Sequence, residues 1–92
     1  MIKLALAPLF IREYRLLGAA ERKLCEEAIE ALPRSFGFPH RHAGIGLRAL
    51  RRGVYECRVG QALRIGFTKH ADTLLLQTVG NHETLRQWLR KV

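Results

Sequence analysis

Arg58, Arg64 and His82 are side chains of the kinds that handle a phosphodiester. A guanidinium offers planar, paired donors to phosphate oxygens, and a neutral imidazole can take a proton that it later returns. Their neighbours make the grouping specific. VYECRV (54–59) and ALRIGF (62–67) alternate with a period of two, and matching their apolar faces pairs Val59 with Leu63, Cys57 with Ile65 and Tyr55 with Phe67. That register sets Arg58 opposite Arg64. Like charges facing each other across a ladder cost from a few tenths to about 1 kcal/mol, a cost that an anion between them removes. Two arginines splaying into water are the plain alternative.

His82 stands in the stretch VGNHE, at the corner between a strand and a helix. Asn81 predicts an N-cap, and Leu85, Trp88, Leu89 and Val92 repeat at helical spacing. The corner therefore presents an imidazole from the first turn of a helix, where it serves either in proton transfer or in capping. Arg48, Arg51 and Arg52 read as phosphate contacts or as a solvated basic edge, and the sequence leaves both open. His40 and His42 form an HxH pair with no third ligand at zinc-like spacing, so no metal is expected. Gly44, Gly46 and Ala49 fit a degenerate dinucleotide string outside any βαβ unit, and the lone Ser35 supports no hydrolase triad. Cys25 and Cys57 read as two reduced thiols.

The charge distribution points to a polyanionic partner. Residues 1–33 carry five basic and five acidic side chains, whereas residues 34–92 carry eleven basic and three acidic ones, so the net charge of +8 lies wholly in the second part. Such a surface attracts phosphate backbones, since each neutralised phosphate releases counterions. Ninety-two residues, 48% of them hydrophobic, suit a single domain over 1–92 with one modest core. No apolar run is long enough to span a membrane, and MIKLALAPLF is too short and too weakly basic for a signal peptide. The expectation is a cytoplasmic protein with no membrane partner and no cofactor.

The elements that position these side chains give an α+β fold. Ile2, Leu4 and Leu6 alternate as a short strand ended by Pro8. Phe10, Tyr14 and Leu17, then Leu24, Ala28 and Leu32, predict a helical hairpin, or one helix bent at Gly18, stopped by Pro33. Residues 33–46 read as a loop rich in glycine and proline. Strands over 54–59, 62–67 and 73–79 then form a three-strand antiparallel meander, and a short C-terminal helix closes the chain. All helices are expected on one face of the sheet, leaving the other free.

Taken together, LRALRRGVYECR (47–58), LRIGF (63–67), DTLLL (72–76) and VGNHE (79–83) resemble the RelE/ParE superfamily of bacterial type II toxins. The resemblance covers nearly the whole chain in order and spacing, and it implies the same RelE-like sheet and helices. It further implies a cognate antitoxin as partner. For the RelE-like branch it implies an mRNA endoribonuclease that works on the ribosome without metal, by 2′-hydroxyl attack on the adjacent phosphate. Arg64 matches the family's sheet arginine in R64-I-G-F67, Arg58 its basic strand residue, and His82 the position of an arginine or histidine. Trp88 lies near an aromatic thought to stack on a base. With Arg48, Arg51, Arg52, His40 and His42 it makes up the expected substrate-binding set. If His82 is the base, the acid is open among His40, His42 and Glu56. The chain departs from the family in two places: HRHAGIG lacks a glutamate used by some members, and Glu56 stands where a lysine is common. A ParE-like toxin that inhibits DNA gyrase without chemistry, and an inactive nucleic-acid- or antitoxin-binding module, are the alternatives.

Overall fold

The computed structural model describes residues 1–92. Strand β1 (Lys3–Leu6) leads into helices α1 (Pro8–Arg15) and α2 (Ala19–Ser35), followed by the one-turn helix α3 (Pro39–His42) and a 3-10 turn, Ala43–Ile45. Four strands follow, β2 (Arg48–Arg51), β3 (Val54–Val59), β4 (Leu63–His70) and β5 (Thr73–Gly80), and helix α4 (His82–Lys91) ends the chain. The five strands form one sheet in the order β1-β5-β4-β3-β2, with β1 parallel to β5 and every other pair antiparallel.

The expected hairpin register holds at every position: Val59 pairs with Leu63, Cys57 with Ile65, Tyr55 with Phe67, and Arg58 with Arg64. The helical hairpin also stands, divided at Leu16–Gly18 into α1 and α2. Pro33 does not stop α2. It lies in the last turn, where its missing N–H forfeits one bond near an end that is already running out, and Phe36 N–H still reaches the Leu32 carbonyl at 2.9 Å. The 33–46 segment is likewise more ordered than a loop, because α3 and the 3-10 turn fold within it.

Strand β2 was hidden by its charge. RALR lacks apolar alternation because it is an edge strand, where charged side chains guard an unpaired backbone. It pairs Arg48 with Glu56 and Ala49 with Tyr55, then shifts register before Arg51 meets Val54.

The helices do not share one face. On one side α1 and α2 bury Phe10, Cys25 and Leu32 against Cys57, Ile65, Phe67, Leu74 and Leu76. On the other, α4 sets Leu85 and Trp88 on Val54, with Leu50 and Leu89 alongside. Helical periodicity signals that a stripe is buried, not which face of a sheet buries it. Here Gly66 decides, because its missing side chain opens the space that the indole of Trp88 fills.

Candidate active site

Arg58, Arg64 and Gly80 lie side by side across β3, β4 and β5, and Arg48, Glu56 and Gly66 form the adjacent row. Both rows belong to the face that α4 only partly covers. Two residues beyond Gly80, His82 is the first residue of α4. Its position is fixed by Asn81, whose side-chain oxygen accepts from the backbone N–H of Thr84 at 3.0 Å and from its hydroxyl at 3.1 Å. The corner is tight. A Cβ on Gly80 would stand 2.5 Å from the Thr84 hydroxyl oxygen, so only glycine brings the helix start this close to the strand end.

Between α4 and β2–β3 runs a small groove of about 100 Å³. Leu50, Leu85 and Leu89 give it an apolar floor, and Arg48, Glu56, His82 and Arg86 its polar walls. Glu56 is 3% exposed, and its Oε2 accepts from Arg48 Nε at 2.7 Å and from Arg64 Nη1 at 3.5 Å. A carboxylate that deep requires charged partners, and these two supply them. In return it anchors both guanidiniums, although Arg48 remains mostly solvent-exposed. Arg86 shares only a 3.8 Å ion pair with Glu83. An apolar floor with a few convergent polar groups is the usual make-up of a binding site.

Several expected site residues lie elsewhere. Arg58 faces Arg64 in the ladder, yet its guanidinium turns away to donate to the Ala43 carbonyl at 3.2 Å. Arg51 donates to the carbonyls of Leu89 and Val92, at 3.0 and 3.3 Å, and so closes the C-terminal end of α4. Arg52 is exposed in the turn between β2 and β3. His40 is exposed beside Phe38, whereas His42 is half-buried against Phe36, on the α2 side of the sheet. Trp88 is 6% exposed and donates to Gln77 Oε1 at 3.1 Å, so it packs the smaller core and offers no free face for stacking.

Of the three residues open as a second proton carrier, Glu56 alone lines the groove with His82. Neither cysteine is a nucleophile here: burial pushes the thiol of Cys25 up to about 11 and that of Cys57 up to about 12. No group of three histidine, cysteine or carboxylate side chains is placed to hold a metal ion. Arg86 was not singled out from sequence, although its place four residues after His82 on one helix face was readable. Leu50 was not readable, because its strand was not.

This fold is that of the RelE-type toxins. The RelE toxin in the RelB–RelE antitoxin–toxin complex from Methanococcus jannaschii superposes with a TM-score of 0.70 at 19% identity, over 91% of this chain and 96% of that one. YafQ from E. coli superposes with a TM-score of 0.69 at 14% identity, over 92% and 98%. A copper-bound mutant toxin from Helicobacter pylori gives 0.70 at 22% identity, over 92% and 99%. No family model matches the chain, and no curated protein matches it in sequence.

Proposed function

We propose that this protein is the toxin of a type II toxin–antitoxin pair, a metal-independent endoribonuclease that cuts mRNA on the ribosome. The observation that carries the reading is a single groove lined by His82, Glu56 and Arg48, in which Glu56 also pairs with Arg64. Support also comes from the fold, shared with toxins solved as such and in complex with an antitoxin.

His82 and Glu56 act as the two proton carriers. One takes the proton of the 2′-hydroxyl as its oxygen attacks the adjacent phosphorus; the other gives a proton to the departing 5′-oxygen. The products are a 2′,3′-cyclic phosphate and a free 5′-hydroxyl. Arg64 stabilises the extra negative charge on the pentavalent phosphorus from a position fixed by Glu56, and Arg48 adds to the same field. Arg58, its guanidinium held at the Ala43 carbonyl, adds positive charge to this field without lining the groove. A cognate antitoxin rich in acidic groups complements the basic surface that begins at residue 34.

Primer extension on translating ribosomes, with chelator present, tests the reading. Discrete cuts by the wild type that vanish in His82→Gln and Arg64→Ala are expected. An intact message under conditions where an authentic ribosome-dependent toxin cuts would overturn the nuclease, and DNA supercoiling by gyrase becomes the assay to run.

A further inference from the structure

We propose that His70, Thr68 and Gln77 form a one-way hydrogen-bond relay that seats Trp88, and with it the helix carrying His82, and that uptake of a proton by His70 loosens this seat. The relay stands on its own geometry; what it does to cleavage rests on the nuclease reading. Trp88 Nε1–H donates to Gln77 Oε1 at 3.1 Å, Gln77 Nε2 donates to Thr68 Oγ1 at 2.8 Å, and Thr68 Oγ1 lies 2.8 Å from His70 Nε2. The indole sets the direction of every link, because its nitrogen only donates. It claims the amide oxygen of Gln77, so the amide nitrogen faces Thr68 and the hydroxyl oxygen accepts. The hydroxyl hydrogen then goes to His70 Nε2, which accepts it only in a neutral ring that carries its proton on Nδ1. A bulge aims the middle of the relay: Gly66 pairs with Thr78 and Phe67 with Leu76, which leaves Gln77 out of register between them.

A protonated His70 no longer accepts. Thr68 is 5% exposed and Trp88 6%, so two buried donors, the hydroxyl and the indole N–H, are left to one acceptor, the Gln77 oxygen. The amide cannot turn that oxygen to Thr68 without setting its own nitrogen against the indole, donor to donor. His70 itself is exposed near the end of β4, within reach of solvent protons. The charges around it are engaged elsewhere or lie in water. Lys69 donates to the Ala71 carbonyl, Asp72 pairs with Lys3 of β1 at 3.9 Å, and Arg52 is exposed in the turn where Gly53 accepts from the Lys69 backbone N–H. Thr73, the partner of His70 on β5, is uncharged, as is Trp88 on α4. Thr68, Gln77 and His70 are thus positioning residues, acting on His82 only through the seat of α4.

Trp88 is the single tryptophan, so its indole N–H resonance reports the last link by itself. The measurement is its chemical shift and its protection from hydrogen exchange relative to free indole, in the isotope-labelled full chain, between about pH 8 and about pH 5, where an imidazole ordinarily changes charge. In wild type the resonance is expected to move and the protection to fall several-fold on acidification. His70→Gln, whose amide oxygen accepts at either pH, and Thr68→Val, which leaves the Gln77 oxygen to the indole alone, are expected to stay flat, while Thr68→Ser restores the response. An unchanging wild-type indole overturns the relay, as does a response that survives in His70→Gln or Thr68→Val. Cleavage on ribosomes extends the comparison to His82: wild type should lose several-fold more activity than His70→Gln in the acid half of that window, and coincident acid limbs overturn the coupling to the site. Failure of the nuclease reading looks different, since a wild type that cuts no message at any pH still shows the pH-dependent indole that defines the relay.

Discussion

The indole of Trp88 occupies the space that a side chain on Gly66 would need: a Cβ there would stand 2.5 Å from Cζ3 and 2.6 Å from Cε3. Gly66 is in the middle of β4, paired with Glu56 on one side and Thr78 on the other, so the backbone has little room to withdraw. Gly66→Ala is therefore expected to lift α4 and destabilise the fold by about 1–3 kcal/mol, the usual range for an overpacked core. Trp88→Ala empties the smaller core and costs about 3–5 kcal/mol. Urea midpoints measure both, and a Gly66→Ala protein as stable as wild type would refute this account of how α4 is seated.

His82→Gln and Glu56→Gln each remove one proton carrier while keeping a similar shape. Cleavage should fall by about 10²–10⁴-fold in each, the range for general acid–base catalysis, with KM little changed. The double variant is expected to lose less than the product of the two, because both carriers serve one concerted transfer. Single-turnover rates on programmed ribosomes decide it. Unchanged cleavage in Glu56→Gln would leave Glu56 only its structural part, holding Arg48 and Arg64.

Much of this was legible in the sequence where one physical signal had one reading. Apolar alternation in 54–59 and 62–67 admits a single register, so the facing of Arg58 and Arg64 follows from the pattern alone. Asn81 before a helical stripe likewise placed His82 at a helix start. What was not legible depended on long-range choices. The stripe Leu85–Trp88–Leu89 meant burial, but only the vacancy at Gly66 shows that α4 packs opposite α2. RALR gave no strand signal, because an edge strand is recognised by its partner rather than by its own pattern. The direction of Arg58 was hidden for a similar reason, since Gly46 clears its path and Ala43 ends it, both far from it in sequence.

Burial of the two thiols gives the fold an alkaline limit. Burial pushes Cys25 up to about 11 and Cys57 up to about 12 in the folded chain, against an ordinary 9.0. Folding thus holds both protons where the unfolded chain releases them. Their contribution is complete below pH 9 and declines as pH rises from 9 toward the folded values, by up to about 1.4 kcal/mol per pH unit for each thiol. Denaturant midpoints across this window should fall less steeply in Cys25→Ala/Cys57→Ala than in wild type. Parallel pH profiles would show that the thiols carry no such linkage.

Glu13 ties α1 to the one irregularity in the β4–β5 ladder. The register shifts between Gly66 and Phe67, and beside that bulge the carboxylate accepts from the Thr78 hydroxyl at 2.6 Å and from the Val79 backbone N–H at 3.1 Å. Thr78 and Val79 are 1% and 2% exposed, so water cannot replace the carboxylate at either donor. Glu13→Ala is expected to cost about 1–3 kcal/mol for each donor left bare, with faster amide exchange at Val79. Glu13→Gln, which keeps an acceptor oxygen, should recover most of that loss. A cycle with Thr78→Val separates the two bonds: coupling between the substitutions reports the hydroxyl, and the remainder belongs to the Val79 amide. Because Thr78, beside the bulge, lies two residues before Gly80, its loosening should also move His82. Glu13→Ala should therefore cut message more slowly than the fraction still folded accounts for, and cleavage in strict proportion to that fraction would confine Glu13 to stability.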